Sequence, residues 1–371
     1  MPESIIIVAG ARPNFMKIAP ILAALNREPE HFAPMLVHTG QHYDYEMSEI
    51  FFQDLEIQKP DAFLDVVRDH PAQQTADIIS KFDRILMENR PNLVIVVGDV
   101  TSTAACALAA SKREITIAHI EAGLRSRDRS MPEELTRIVT DALSDLLFTY
   151  SEDADSNLRA ENVPDNCIFQ IGNLMIDTLY RFRGKSRKSN ILKKLSLEQN
   201  KYILATLHRP SNVDKEENLS KFLHVLENIS NRLPVVFQLH PRTKARLTEY
   251  NLTSKLEKMP GVTVIGPQGY LDIIKLQENS CLALTDSAGI AEETTALQIP
   301  CLTMRENTER PVTISHGSNQ LVGCDPENII QSTHATLNQK KDYAIPPLWD
   351  GHSAERLVSV LRPGFTRRTK T

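Results

Sequence analysis

No stretch of this sequence approaches the roughly 20 consecutive apolar residues that a membrane-crossing helix needs. The short apolar run in MPESIIIVAGARP has no basic segment ahead of it, so neither a membrane anchor nor a signal peptide is expected. The five cysteines, Cys106, Cys167, Cys281, Cys301 and Cys324, form no C-x-x-C pair and are odd in number. They read as reduced, buried small hydrophobes, and a reducing, cytoplasmic home is expected. No H-x-x-x-H or similar spacing suggests a metal. Neither G-x-G-x-x-G nor a Walker A pattern occurs, so dinucleotide or ATP use lacks its usual sequence support, and no cofactor is expected. A net charge of −5 generates no strong overall field to attract nucleic acid or an anionic membrane. An anionic ligand would have to be held by local positive groups.

The chain is long enough for two domains: 371 residues, 41% hydrophobic and 24% charged, an ordinary balance for a soluble globular protein. Short runs rich in β-branched residues recur. The first series is Ile5–Val8, Leu93–Val97, Ile115–Ile120, Leu146–Tyr150 and Ile168–Ile171. The second is Tyr202–Leu207, Val235–Leu239, Val262–Ile265, Cys281–Leu284 and Cys301–Met304. Runs that are apolar throughout suit strands covered on both faces. Helical patterns lie between them at Pro13–Leu25, Thr75–Glu88, Thr101–Lys112, Glu133–Leu143, Asn218–Asn228 and Ile290–Leu297. This alternation predicts parallel sheets with right-handed crossovers, hence two Rossmann-like, doubly wound α/β domains. The polar, basic stretch Arg181–Asn200 reads as a solvated helix or linker face. The expected domains are residues 1–175 and 176–352, with a closing helix at 353–371 returning to the first. The tail Arg362–Thr371 is expected to fray.

In open α/β sheets, ligands bind beyond the carboxyl ends of the strands, where strand order reverses. Arg12 and Lys17 follow the first run, Asp99 the second and Glu121 the third. In the second half, His208, His240, Gln268 and Arg310 follow their own runs. LTDSAGIAEE takes a strand into a helix start at Ser287, Ala288 and Gly289, where free amides and the helix dipole suit phosphate. Glu293, one turn on, could accept from ribose hydroxyls. In GARPNFMK, Arg12 and Lys17 could pair with phosphate. Singly, each position is as well explained by ordinary strand-end turns, helix caps or surface cations. As a set, they put carboxylates in the first half and histidines with an amide-rich turn in the second.

Taken together and in order, GARPNFMKIAPI, VVGDVTST, HIEAGLRS, MPEELTRIVTD, TLHRPSN, LTDSAGIAEETTALQIP and NTERPVT resemble the non-hydrolysing UDP-N-acetylglucosamine 2-epimerases, from Ile5 to about Gly323. The resemblance implies the GT-B architecture, two facing Rossmann-like domains with the active site in the cleft, and a homodimer. It implies catalytic roles for Asp99, Glu121 and Glu133, and for His208 near the diphosphate. It gives Arg12 and Lys17 to the first loop, and Gln268, Ser287, Ala288, Gly289, Glu293 and Arg310 to UDP contacts, with Ile273 at the uracil. The chain departs from the family at Asn14, at Ala288 before Gly289, and at Leu135-Thr136 before Arg137. TGQHYDYEM keeps Gln41 and His42 but lacks the spacing of a second glutamine that serves allosteric substrate binding in some members, so such activation is not expected.

The chemistry implied is inversion at C2 by anti elimination of UDP to a glycal and re-addition. Early C1–O cleavage avoids a free carbanion, so cations and amides must meet the growing diphosphate charge. Inversion needs acid–base groups on two faces. Asp99 is assigned as acceptor for the gluco form, with Glu121 or Glu133 opposite. Alternatives are an epimerase of another UDP-acetamido sugar such as a diacetamido uronic acid, a hydrolysing epimerase, a GT-B glycosyltransferase and a nucleotide-sugar binding protein.

Overall fold

The computed structural model describes residues 1–10, 12–40, 54–66, 70–339 and 342–365, with the side chains of Arg12 and Pro13 excepted. Gln41, His42 and the last part of the basic tail therefore lie outside the described residues. The chain forms two compact units, Met1–Thr178 with Pro347–Thr371, and Leu179–Pro346.

The first unit is built on seven strands: β1 (Glu3–Ala9), β2 (Phe32–His38), β3 (Ala62–Phe63), β4 (Leu93–Val97), β5 (Thr116–Ile120), β6 (Leu146–Thr149) and β7 (Ile168–Gln170). They pair in the order β3-β2-β1-β4-β5-β6-β7, all parallel. Every residue of β4 and β5 is buried, as expected for strands sandwiched between helices. On one face, Ile78, Phe82 and Leu86 of the helix Pro71–Asn89 repeat at a spacing of four. They pack with Ala105, Cys106 and Ala109 of the helix Thr101–Lys112 on Ile6, Val8, Val94 and Val96.

Three strands escape the sequence reading, and their composition explains why. β2 carries Pro34, which has no amide to donate. It is tolerated because β3 pairs with Val37 and His38, and among the described residues no strand lies on the outer side of Pro34. β3, and Asn319–Leu321 in the second unit, are two- and three-residue edge strands, too short for periodicity to register.

The C-terminal segment closes the first unit. The indole of Trp349, 1% exposed, donates to the Tyr150 carbonyl at 3.2 Å. The helix Ser353–Leu361 buries Ala354, Leu357, Val358 and Leu361 against the helix Arg12–Leu25. Its first amides are satisfied from a distance: Asp177 accepts from Ser353 N at 3.0 Å and Ala354 N at 2.7 Å. A helix leaves its first four N–H groups without intrahelical partners, so Asp177 caps this one.

The second unit has six parallel strands: β8 (Ile203–Leu207), β9 (Val235–Leu239), β10 (Val262–Ile265), β11 (Leu282–Thr285), β12 (Cys301–Thr303) and β13 (Asn319–Leu321), ordered β10-β9-β8-β11-β12-β13. Alternate residues of β8 face opposite layers. Ile203, Ala205 and Leu207 join the core under the helices Glu216–Ser230 and Pro326–Asn338. Tyr202 and Leu204 pack with Ile191, Ile265 and Leu276 on the other face. The stretch Arg181–Asn200 is thus part of the packed structure: the helix Leu174–Ser186 crosses into it, and Ile191 is buried.

Several carboxylates are buried in this unit, among them Asp286, Glu292 and Glu293. Glu293 is 3% exposed, accepting from Tyr270 Oη at 2.8 Å and Gln277 Nε2 at 2.7 Å. Burial, with the nearby charge of Glu292, outweighs those two donors and pushes its carboxyl up to about 7.

Two stability measurements test this packing. Asp177→Ala is expected to cost about 2 kcal/mol in urea unfolding, with faster amide exchange along Ser353–Leu361. Because the folded chain keeps the Glu293 proton to higher pH than the unfolded chain, its contribution is fully present below about 4.5 and is lost as pH rises through about 7. Glu293→Gln removes that loss. The variant should therefore gain on the parent between pH 5 and 8, by at most about 3 kcal/mol. A difference that stays flat across this range refutes the assignment.

Candidate active site

In the first unit, the chain order reverses between β1 and β4, and the residues leaving β1, β4 and β5 converge there. Asn14, 3% exposed, ties two strand ends together. Its Oδ1 accepts from Gly10 N at 3.2 Å and its Nδ2 donates to the Val97 carbonyl at 3.0 Å. One turn further along that helix, Lys17 Nζ lies 2.5 Å from Glu121 Oε2, both groups buried. Gly98 is packed directly beside that pair: a Cβ there would stand 3.6 Å from Lys17 Nζ and 3.6 Å from Glu121 Oε2. Gly98 has φ +70, a conformation that costs glycine little and other residues more. Glu121 has φ +67 without being glycine, so backbone strain is held where a carboxylate is aimed.

Asp99, which follows Gly98, is partly exposed and meets Arg137 Nη1 at 2.5 Å. Arg137 is 1% exposed and also donates to Glu134 Oε2 at 2.7 Å. Glu134 in turn accepts from Ser126 N at 2.8 Å and Arg127 N at 3.0 Å. Burial raises the Glu134 carboxyl, but Arg137 and the Ser126 amide hold it below the usual carboxylate range. Glu133, half-buried at the second position of the helix Pro132–Leu143, takes no part in this network among the described residues. The glutamate joined to Asp99 through arginine is its neighbour Glu134.

The second unit reverses its strand order between β8 and β11, and the corresponding convergence is built on Asp286. This carboxylate is fully buried and accepts from His208 N at 3.1 Å, Arg209 N at 2.7 Å and Asn212 Nδ2 at 3.0 Å. His208 Nδ1 lies 2.9 Å from its Oδ1. Burial raises this carboxyl, yet the His208 hydrogen bond and charge, with the amides, keep it below its ordinary range. A carboxylate partner places a proton on Nδ1 and fixes the ring, and the side chain remains 33% exposed. The His240 ring lies 5.2 Å away, centroid to centroid. His240 caps the helix Pro241–Glu249, its Nδ1 accepting from Arg242 N at 3.1 Å.

From β11 the chain turns through Ser287 into the helix Ala288–Ala296. Ser287 is the cap, and Ala288 and Gly289 occupy the first two helical positions, where an amide has no intrahelical carbonyl to reach. These three residues are half-exposed, whereas Ala291 to Ala296 are buried. Gln268, half-buried after β10, donates its side-chain amide to the Gly266 carbonyl at 3.0 Å. Ile273 packs, partly buried, on the Tyr202–Leu276 cluster. Arg310, 6% exposed, is engaged by Glu309 at 2.6 Å and Glu292 at 2.8 Å, and Arg305 meets the other oxygen of Glu309 at 2.7 Å. Burial raises the Glu309 carboxyl, but Arg310, Arg305 and Arg209 hold it far below the carboxylate range.

The structure thus brings together Lys17 with Glu121 in one unit, and His208, Asp286 and the Ser287–Gly289 turn in the other. It commits three expected ligand contacts to internal partners: Lys17 to Glu121, Glu293 to Tyr270 and Gln277, and Arg310 to Glu309 and Glu292. The Arg12 side chain lies outside the described residues. Sequence reasoning missed Arg137, Glu134 and Asp286 as organisers. Asp286 had a signal, as the first charged residue after an apolar run. Arg137 and Glu134 had only their place in MPEELTR. Among the described residues no group of three or more His, Cys, Asp or Glu could hold a metal ion, and no helix is long and apolar enough to cross a membrane. All five cysteines are free, with Cys106, Cys167 and Cys301 buried.

Comparison with known proteins identifies the family. The family described as UDP-N-acetylglucosamine 2-epimerase matches residues 23–362. A UDP-N-acetylglucosamine 2-epimerase homologue of Methanococcus maripaludis is 41% identical over 360 residues, covering 96% of this chain and 99% of its own. A UDP-2,3-diacetamido-2,3-dideoxy-D-glucuronate 2-epimerase of Pseudomonas aeruginosa is 40% identical over 338 residues, covering 90% and 92%. The crystal structure of the Methanocaldococcus jannaschii UDP-GlcNAc 2-epimerase in complex with UDP-GlcNAc and UDP superposes with a TM-score of 0.91 at 38% identity, covering 97% of this chain and 100% of that one. With its paired doubly wound units, its strand-end carboxylates and this likeness along nearly its whole length, the chain belongs to the UDP-N-acetylglucosamine 2-epimerase family.

Proposed function

We propose that this chain interconverts UDP-N-acetylglucosamine and UDP-N-acetylmannosamine by eliminating UDP and adding it back. The observation that carries the reading is its close likeness to the Methanocaldococcus jannaschii enzyme crystallised with UDP-GlcNAc and UDP. The ion-paired Asp99 and Glu121 on adjacent strand ends of the first unit support it.

In the forward step a carboxylate takes the C2 proton, the C1–O bond breaks, and its electron pair leaves with UDP as the C1–C2 double bond forms. Re-addition returns UDP to C1 and a proton to the opposite face of C2. We assign Asp99 to the proton of the gluco form and Glu121 or Glu133 to the other face. His208 and the amides of Ala288 and Gly289 meet the diphosphate, with Arg12 as a further cation. Ser287 caps the turn that presents those amides. Gln268, Ile273 and His240 are assigned to the uridine side of the ligand. In keeping with the resemblance, the working unit is a cytoplasmic homodimer.

A second reading has a specific basis. The Pseudomonas aeruginosa relative, nearly as similar as the Methanococcus protein, is named for a diacetamido uronic acid. The same C2 chemistry would then act on a sugar bearing a carboxylate.

The test is incubation in D2O with each UDP-sugar. UDP-N-acetylglucosamine should gain deuterium at C2 and equilibrate with its manno epimer while the UDP-sugar stays intact. Exchange only with the diacetamido uronate selects the second reading. Free sugar indicates hydrolysis, and absence of exchange with either removes both readings. Asp99→Asn is expected to lower exchange by about 100-fold or more while UDP still binds. Exchange at the parent rate excludes Asp99 from the chemistry.

A further inference from the structure

Outside the groups assigned to substrate, the most fully determined polar residue of the first unit is His119. It lies on β5, two residues before Glu121, and is 0% exposed. Its Nδ1 is 2.6 Å from Asp141 Oδ1 and its Nε2 is 2.9 Å from the Gly98 carbonyl. A carbonyl can only accept. Asp141 accepts on its other oxygen from the Gly123 amide and Arg125, so it presents an acceptor to the ring as well. Both ring nitrogens therefore face acceptors, and only a ring protonated at both satisfies the two contacts.

The charge so buried is balanced. Asp141 is 1% exposed, and its second oxygen accepts from Gly123 N at 3.1 Å and meets Arg125 Nη2 at 2.7 Å. Arg125 continues to Glu161 at 2.6 Å. His119, Asp141, Arg125 and Glu161 form a neutral chain running from the interior towards the surface, where Glu161 is 41% exposed.

Its inner end holds Gly98. The amide of Gly98 donates to the Ile120 carbonyl at 3.0 Å, and its carbonyl accepts from His119. Both polar groups of this left-handed residue are thus fixed by β5, and the next residue along is Asp99. We propose that His119 is a positioning residue for C2 chemistry: as a buried imidazolium it locks the Gly98 peptide, and so sets the direction of Asp99 relative to Glu121. The inference rests on the assignment of those two carboxylates to the reaction.

Two substitutions separate this role from mere compensation of buried charge. In His119→Gln the side-chain amide replaces Nε2 and can still donate to Gly98. In His119→Asn it replaces Nδ1 and can still donate to Asp141. Positioning through Gly98 predicts that the Gln variant keeps C2 exchange within about threefold of the parent. The Asn variant should lose about 100-fold in kcat, with KM and UDP affinity unchanged. Equal losses in two folded variants, or full activity in both, overturn the proposal. A readout independent of catalysis is the 15N spectrum of ring-labelled histidine in the intact chain. Two protonated nitrogens should appear for the ring whose signals vanish in His119→Gln. A single protonated nitrogen overturns the proposal even if exchange is normal, whereas a parent chain that shows the doubly protonated ring but no exchange with any UDP-sugar indicts the functional reading instead.

Discussion

A carboxylate withdrawn from water costs several kcal/mol unless cations or donors meet it, and that constraint organises both halves of this chain. In the first unit it joins Glu121 to Lys17, Glu134 and Asp99 to Arg137, and Asp141 to His119 and Arg125. In the second it gathers backbone amides, an asparagine and His208 around Asp286. Of these pairs, Glu134–Arg137 alone lies within a single element, the helix Pro132–Leu143. The others join separate segments of the same unit, so the polar edge of each sheet is cross-linked by its charged groups.

The same constraint explains why some cations expected at phosphate are committed elsewhere. A lysine 6% exposed beside a buried glutamate cannot leave it without stranding that charge. Arg310 is in the same position between Glu309 and Glu292. The second unit instead presents the first amides of the helix Ala288–Ala296 and the exposed side of His208. Amides of this kind are fixed by the helix and need no reorganisation as charge develops, which is the property asked of a group that stabilises a leaving anion.

How much of this was legible beforehand follows from where the information lies. Continuous apolar runs such as Leu93–Val97 announced buried parallel strands, and the alternation with helices announced the doubly wound class. The residue after each run announced the polar edge, because a parallel sheet sends all its carboxyl ends the same way. Asp99, Glu121 and His208 were found by that rule. Short edge strands were not, since two or three residues carry no period. Partnerships were not legible either. Nothing in MPEELTR says that Arg137 reaches Asp99, 38 positions earlier, or that Glu134 rather than Glu133 is the buried member. Local patterns decide which residues reach an edge, whereas tertiary packing decides which of them meet.

The two strand-end carboxylates of the first unit are also unlike in a way that bears on inversion. Asp99 is paired with a guanidinium, which cannot be deprotonated in a protein and so only stabilises the anion. Glu121 is paired with an ammonium, which can give up a proton when buried. A C2 epimerisation through an eliminated intermediate needs one group ready to accept a proton and another able to supply one to the opposite face. Identical partners would bias both carboxylates the same way. An arginine stands behind one and a lysine behind the other, and the backbone is left-handed at both Gly98 and Glu121. The asymmetry is built from residues on four separate segments, two helices and two strand ends, which is why it exists only in the folded chain.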